Sequence, residues 1–305
     1  MSKISNHTTE LMAEMSANGI TPAHTLDLTS GLLCRFDIEG DKPGSKCGWI
    51  IYYANSDDSI VAVYGSWKTS EQLVYSSGGS GSRMSDEAVA AIKRAREQAA
   101  QEREQLIAKG TAKALFVWNN SKPAVEHPYL TRKKIKAHHA RVNSTGVLVI
   151  PIRDIGGQLI SLQYICESFG KRFAKDARTH GGFCPFGLAS DSDTILIAEG
   201  FATAATLHEA TELPVVAALS ASNMLPVALL IHNKYPRKQF IVCADNDALA
   251  KENVGLEKAK AAALSIGAEV VYPVFDNDEI GTDFNDLALL RGNQAVKAMI
   301  LGAIE

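Results

Sequence analysis

The chain has 305 residues, 46% of them hydrophobic and 21% charged, with a formal net charge of −3. That length buries a sizeable core and accommodates two domains, and the composition excludes a disordered or collagen-like chain. The small negative charge excludes a protein that holds nucleic acid by bulk charge, while leaving room for a local basic patch beside an acidic one.

Five cysteines, Cys34, Cys47, Cys166, Cys184 and Cys243, are scattered without CxxC spacing. No zinc is expected, nor a disulfide framework, and a reducing cytoplasm is the expected compartment. MSKISNHTTE lacks the pattern of a signal peptide. No apolar run is long enough to span a membrane, so no membrane partner is expected.

In chain order, Leu11, Met12, Met15 and Ile20 mark a short amphipathic helix. From Leu32, the runs LLCRFDIEG, GWIIYYANS, IVAVYGSW and QLVYSS predict a small antiparallel β-rich module. Its aromatics (Phe36, Trp49, Tyr52, Tyr53, Tyr64, Trp67, Tyr75) read mainly as the core of that sheet, because small sheets need large side chains to bury enough surface. Interleaved with Lys42, Lys46 and Lys68, they leave a base-stacking surface as the alternative. Ser77–Arg83, SGGSGSR, has linker composition. A helix is expected over Asp86–Lys109, with Ser85 as N-cap and Gly110 as the stop, and its thin apolar stripe (Val89, Ile92, Leu106) suggests a solvated spacer lying on a domain rather than a binding element.

The run 127–141, HPYLTRKKIKAHHAR, is basic and includes Arg132 and Lys133; His138 and His139 read as part of that basic face. Residues 146–165 predict two strands joined by a turn at Gly156-Gly157, with Arg153 near the turn. GKRFAKDARTHGG is basic again, with Lys171, Arg172, Lys175 and Arg178. Two basic runs flanking one hairpin favour a nucleic-acid path. From Asp193, strands TILIAE, PVVAAL, FIVCAD and EVVYPV alternate with helical segments, which predicts βαβ units and a parallel sheet covered on both faces.

Acidic residues fall at the ends of those strands: Glu199, then Asp245 and Asp247 in CADND, then Asp283 with Asp286 in DFND. Parallel strands gather their carboxyl ends on one edge, so these residues are expected to converge. Carboxylates crowded together repel unless cations sit among them, and an oxygen-only donor set selects Mg²⁺ or Mn²⁺. That chemistry suits phosphoryl transfer or hydrolysis. Other templates fail: GDKPGSK (40–46) puts Ser where a phosphate-binding loop needs Lys, and neither GxSxG nor a strand-bound GxGxxG is present.

AEG, ADND and DFND on this background resemble the Toprim domain of bacterial-type primases, topoisomerases and some nucleases. HPYLTRKKI, VIPIRD, GGQLISLQYI, GKRFAKDA and FCPFG are similar, in that order, to the segment before Toprim in bacterial-type primases, and AEGFATAATLHEATELPVVAALSASNM resembles primases carried by plasmids, phages and integrative elements. The resemblance covers about 113–290. It implies an α/β fold in which a basic α+β subdomain (113–190) precedes a Toprim catalytic domain (191–305), after a β-rich module (1–82) and a helical linker (83–112).

It further implies a DNA primase that makes short RNA primers on single-stranded DNA from nucleoside triphosphates. Glu199 would be a metal ligand or general acid/base; Asp245, Asp247 and Asp283, with Asp286 beside it, would hold metal. Arg132, Lys133, Arg153, Lys171, Arg172 and Lys175 would meet template or nucleotide phosphate. A replicative helicase or another replication protein is the expected protein partner. The usual zinc module is absent from the cysteine pattern, and arginines of the family are replaced at Gly146-Val147 and Gln163-Tyr164. The alternatives are a metal-dependent Toprim nuclease, which needs only the acidic crevice, and a non-catalytic accessory that binds single-stranded DNA.

Overall fold

The computed structural model describes residues 3–55, 58–69, 71–77, 86–188, 191–248, 253–276 and 279–304. The SGGSGSR segment from residue 78 onward and the expected N-cap Ser85 lie outside them. The chain forms two compact units, Met1–Gln105 and Leu106–Glu305.

In the first unit, α1 (Lys3–Ala17) precedes an antiparallel sheet of β1 (Cys34–Phe36), β2 (Gly48–Ala54), β3 (Ile60–Ser66) and β4 (Glu71–Ser76), in that spatial order. Period-2 alternation sorts its side chains. Ile50, Ile60, Ala62 and Tyr64 pack with Leu11 and Met15 of α1. Trp49, Ile51 and Val63 face the other way, onto Ala95 and Ala99 of α2 (Asp86–Asn119). The aromatics are therefore largely core: Phe36, Trp49, Tyr64 and Tyr75 are buried. Tyr53 and Trp67, half-buried, are covered by arginines, with Arg94 over the first ring at 5.4 Å and Arg35 and Arg103 over the second at 4.5 and 5.2 Å.

Helix α2 is largely solvated and lies on the sheet through a buried stripe of Ala88, Ala91, Ala95 and Ala99 at helical spacing, as a spacer lying on a domain would. It corrects the sequence reading at its end: it does not stop at Gly110 but runs on to Asn119. Gly110 is where the helix presses on another backbone: a Cβ there would meet the Asp176 carbonyl carbon and the Ala177 nitrogen at 2.5 Å. One residue on, Thr111 Oγ1 donates to Ile160 O at 3.1 Å.

The second unit holds two sheets. β5 (Lys122–Pro123), β6 (Arg141–Val142), β7 (Leu148–Arg153), β8 (Leu159–Cys166) and β9 (Gly170–Phe173) pair antiparallel in sequence order, with α3 (Pro128–Lys133) inserted after β5. The β7–β8 turn is made as expected: Asp154 Oδ1 accepts from Gly156 N and Gln158 N, and Gly157 takes φ +85°.

The other sheet contains β10 (Cys184–Phe186), β11 (Thr194–Ala198), β12 (Val215–Ala217), β13 (Gln239–Cys243) and β14 (Glu269–Val271), in the order β10-β12-β11-β13-β14. β11–β14 are parallel; β10, the FCPFG segment, is an antiparallel edge. Helices α4 (Phe201–Thr211), α7 (Phe284–Arg291) and α8 (Asn293–Leu301) cover one face. The other face carries α5 (Met224–Lys234) and α6 (Val254–Ile266). This is the expected α/β architecture, and the order reverses at β11, so a crevice opens beyond its carboxyl end.

Gly110→Ala tests the α2 contact. In an open helix the change would stabilise by up to about 1 kcal/mol. Here overpacking against Asp176–Ala177 outweighs it, for a net loss of about 1–2 kcal/mol in urea unfolding with unchanged m. A gain in midpoint would refute the contact.

Candidate active site

Every residue of β11 is buried. Its parallel pairing with β12 on one side and β13 on the other aligns Ala198 with Ala217 and Cys243. Glu199 follows β11 directly, and Asp245 lies two residues beyond β13. Asp283 arrives from the loop after β14 as the N-cap of α7, where its Oδ1 accepts from Asp286 N at 2.8 Å. Asp247 is exposed.

The three inner acids share a field. Burial pushes the Asp245 carboxyl up to about 8, with further upward pushes from the charges of Asp283 and Glu199. Glu199 is also raised, mainly by burial; the Lys171 charge and a hydrogen bond from the Ala221 N–H pull it back. Asp283 is raised by burial too, against the Lys133 charge. Asp245 Oδ1 is buried without a hydrogen-bond partner. Its neighbours are held: Asn246 N donates to Thr282 O at 2.7 Å, and Asn246 Nδ2 to Pro273 O at 3.0 Å.

Helix starts surround the acids. Gly200 caps α4, and Asn253 caps α6 by accepting from Leu256 N at 3.3 Å. A Cβ on Gly255 would sit 3.6 Å from Glu199 Oε2, so the first turn of α6 abuts the crevice. Positive helix ends partly offset the crowded negative charge.

Of the cations named from sequence, Lys171 couples to Glu199 and Asp245, and Lys133 reaches Asp286 Oδ1 at 3.3 Å. The others are not brought to the crevice. Arg172 alternates with Lys171 on β9 and therefore faces the opposite side, over the Phe169 ring at 4.6 Å. Arg153 donates to Gly157 O of its own hairpin, and Arg132 to Glu167 Oε1 at 3.2 Å. Lys175 is exposed and takes no part in the acids' couplings. His138 is not on a solvated basic face either: its Nε2 meets Glu209 Oε1 at 2.7 Å, edge-on to Phe186. In GDKPGSK, the Gly44 and Lys46 amides donate to the Asp37 carboxylate at 2.8 and 2.6 Å, so that turn is already filled.

Sequence reasoning missed Ala221 and Gly255, which act through a backbone N–H and a missing side chain. It gave no role to Asn285, whose Nδ2 ties Lys133 O at 2.7 Å to Thr206 Oγ1 at 2.9 Å. Only Asn285 left a signal, as the amide inside DFND.

The donor set fits a hard divalent cation. It is all oxygen, and the buried, unpartnered Asp245 Oδ1 is a costly atom that an ion would satisfy. Among the described residues no three His, Cys, Asp or Glu side chains are arranged to grip one ion. Mg²⁺ does not require that, since it keeps several waters and binds through one or two carboxylates plus substrate phosphates.

Residues 194–294 match the Toprim domain family. The chain is 30% identical over 277 residues to a DNA primase TraC of Escherichia coli, covering 84% of this chain and 25% of that protein. A second Escherichia coli DNA primase TraC is 36% identical over 163 residues, covering 48% of this chain and 11% of that one. This chain thus spans a quarter or less of the curated relatives it matches. Among solved structures, the Aquifex aeolicus primase (zinc-binding and RNA polymerase domains) aligns at TM-score 0.46 and 14% identity, over 99% of this chain and 86% of that one. The DnaG primase catalytic domain bound to ssDNA aligns at TM-score 0.46 and 15% identity, over 67% and 80%. The protein carries a Toprim domain. More narrowly, along most of its length the chain is similar to a segment of the TraC primases. Among the described residues, no helix is long and apolar enough to cross a membrane.

The Asp245 environment predicts a pH signature. With its pKa raised from 3.8 to about 8, Asp245 takes up a proton on folding between those values. Its favourable contribution is complete below pH 3.8 and is lost as pH rises through about 8. In chelator, Asp245→Asn therefore melts higher than wild type at pH 8.5, by at least ~3 °C, and the gap closes towards pH 4. Calorimetry across that range checks this; a variant that melts lower at pH 8.5 would contradict it.

Proposed function

We propose that this chain is a DNA primase, a nucleotidyltransferase that makes short RNA primers on single-stranded DNA. The observation that carries the reading is one sheet edge that gathers the part-buried acids Glu199, Asp245 and Asp283, with Lys133 3.3 Å from the neighbouring Asp286 and the Lys171 charge favouring the ionised acids. Those lysines come from the antiparallel subdomain. Relatedness to a DNA primase along 84% of the chain supports it.

In the proposed reaction the primer 3′-oxygen attacks the α-phosphorus of the incoming nucleotide. The new O–P bond forms as the α–β bridge breaks, and pyrophosphate leaves. Glu199, with a pKa raised by burial, is the acceptor for the 3′-hydroxyl proton. Lys171 offers a cation to the phosphates. Asp245, Asp247 and Asp283, with Asp286 adjacent and Glu199 as a further ligand, are the residues proposed to hold Mg²⁺ or Mn²⁺. When bound, the cation stabilises charge that builds on the phosphoryl oxygens. Arg132, Arg172 and Lys175, exposed outside the crevice, suit template phosphates, whose contacts weaken with salt. Arg153 keeps the proposed role only at a distance from the acids. A helicase or other replication protein is proposed as partner on the relatedness alone.

The full chain is incubated with single-stranded DNA, labelled ribonucleotides and Mn²⁺. Wild type should make primers; Asp245→Ala should lose at least ~100-fold and Lys171→Ala at least ~10-fold. Arg172→Ala, on the opposite face of β9, should stay within about threefold at low salt. No primers, primers that persist in Asp245→Ala, or nicking of DNA without nucleotides would reject the proposal, the last in favour of a Toprim nuclease.

A further inference from the structure

Asn223 is 7% exposed and makes three hydrogen bonds, each of 2.8 Å. Its Oδ1 accepts from Gly181 N, while its Nδ2 donates to Gly182 O and to Ala218 O. Gly181 and Gly182 belong to the turn that carries the chain from the basic strand β9 towards β10. Gly182 is wedged against the antiparallel sheet, since a Cβ there would meet Ile152 Cγ2 at 2.6 Å and Ile160 Cδ1 at 2.8 Å. Ala218 follows β12 and hydrogen-bonds through its N–H to Ala198 O, one residue before Glu199.

Between Ala218 and Asn223 the chain makes a turn over the acidic crevice. Leu219 is held at φ +68°, a conformation that a branched side chain resists. Its N–H donates to Glu199 O at 2.7 Å, and its carbonyl accepts from Gln163 Nε2 at 3.4 Å. Ala221 then opens the short 3₁₀ turn Ala221–Asn223 that leads into α5, and its N–H favours the ionised form of the Glu199 carboxylate. A strained turn stays put only where its surroundings over-determine it. Asn223 is the side chain that bonds both ends of that arrangement.

We propose that Asn223 is the positioning residue for Glu199: its amide clamps the 218–222 turn between β12 and the Gly181-Gly182 turn, and so fixes the Ala221 N–H that orients the Glu199 carboxylate. The same clamp ties the basic antiparallel sheet to the acidic edge. The inference rests on the reading of Glu199 as part of the reaction centre.

Ala221→Pro deletes the N–H alone. Proline suits the first position of a helical turn, and Ser220 before it is extended at φ −162°, ψ 153°. The full chain is compared as wild type, Asn223→Ala, Ala221→Pro, Glu199→Gln and the double variant Asn223→Ala/Glu199→Gln. Primer synthesis gives kcat and nucleotide KM, and titration of free Mn²⁺ by electron paramagnetic resonance gives cation affinity. Asn223→Ala and Ala221→Pro should each lose at least ~10-fold in kcat with KM within about threefold, since small misplacements of a reacting group are costly. On the Glu199→Gln background, Asn223→Ala should cost less than about threefold more, because residues acting as a unit are non-additive. Both single variants should bind Mn²⁺ at least ~3-fold more weakly. Wild-type kcat in Ala221→Pro, or multiplicative losses in the double variant, overturns the proposal. If Asn223→Ala does not fold, Ala221→Pro decides. If wild type makes no primers, the primase reading fails by itself; the Mn²⁺ titration then decides the clamp, and equal affinities in wild type and Ala221→Pro overturn it.

Discussion

Asp245 is held among like charges in a place where water cannot reach one of its oxygens, and much of the second unit is arranged around that cost. Burial alone disfavours the ionised carboxyl, and Asp283 and Glu199 disfavour it further. The fold answers with positive charge it already owns. The helix start capped by Gly200 and the first turn of α6 at Gly255 stand at the same edge. So does the 3₁₀ turn that leads into α5. Lys171 adds a full charge from a different sheet. These offsets leave the carboxyl well above its ordinary range, so the edge remains short of cation. A site in that condition is prepared for an added divalent ion or for the proton of a reacting group.

Only a parallel sheet of this order delivers such an edge. β12 and β13 flank β11 on opposite sides, so their following segments leave the crevice open above the central strand. β10 seals the far edge of that sheet by pairing with β12, and bridges back to the antiparallel sheet through Phe183, whose backbone exchanges hydrogen bonds with Arg153. Lys171 sits on β9, the last strand of that sheet, and Lys133 at the end of α3. The acids and the cations that temper them thus come from separate sheets that must be held in register. The Asn223 amide and the Phe183 bridge are both devices of that kind, and both use backbone partners.

Legibility followed the same division. Branched apolar runs ending in an acid, with helical segments between them, made the parallel sheet and its carboxylate edge readable, because burial on both faces imposes that composition. The β7–β8 turn was readable because Gly156-Gly157 follows an aspartate that can cap it. What escaped was carried by small or neutral residues. The stripe Ala88, Ala91, Ala95, Ala99 was passed over in favour of the thinner Val89, Ile92, Leu106 pattern, although a helix that lies close to a sheet needs small residues there. Gly110 read as a helix stop, whereas it is a point of backbone contact that only tertiary structure creates. Lys171 and Arg172 read as one basic element; strand alternation splits them, and nothing in a string of letters marks which of the two faces the acids.

The split has a consequence for choosing between cutting and polymerising. A nuclease needs an acidic edge and little else, so a basic subdomain docked against it would be incidental. Here the docking is specific: β9 presents Lys171 to the acids and turns Arg172 outward to a ring on its own hairpin. One strand therefore offers charge in two directions, inward to where a triphosphate would be handled and outward along the surface. An enzyme that only cleaves has one phosphate to stabilise. On the proposed primase reading, joining a nucleotide along a template brings two phosphate-bearing partners together, and an edge strand with cations on both faces suits that arrangement.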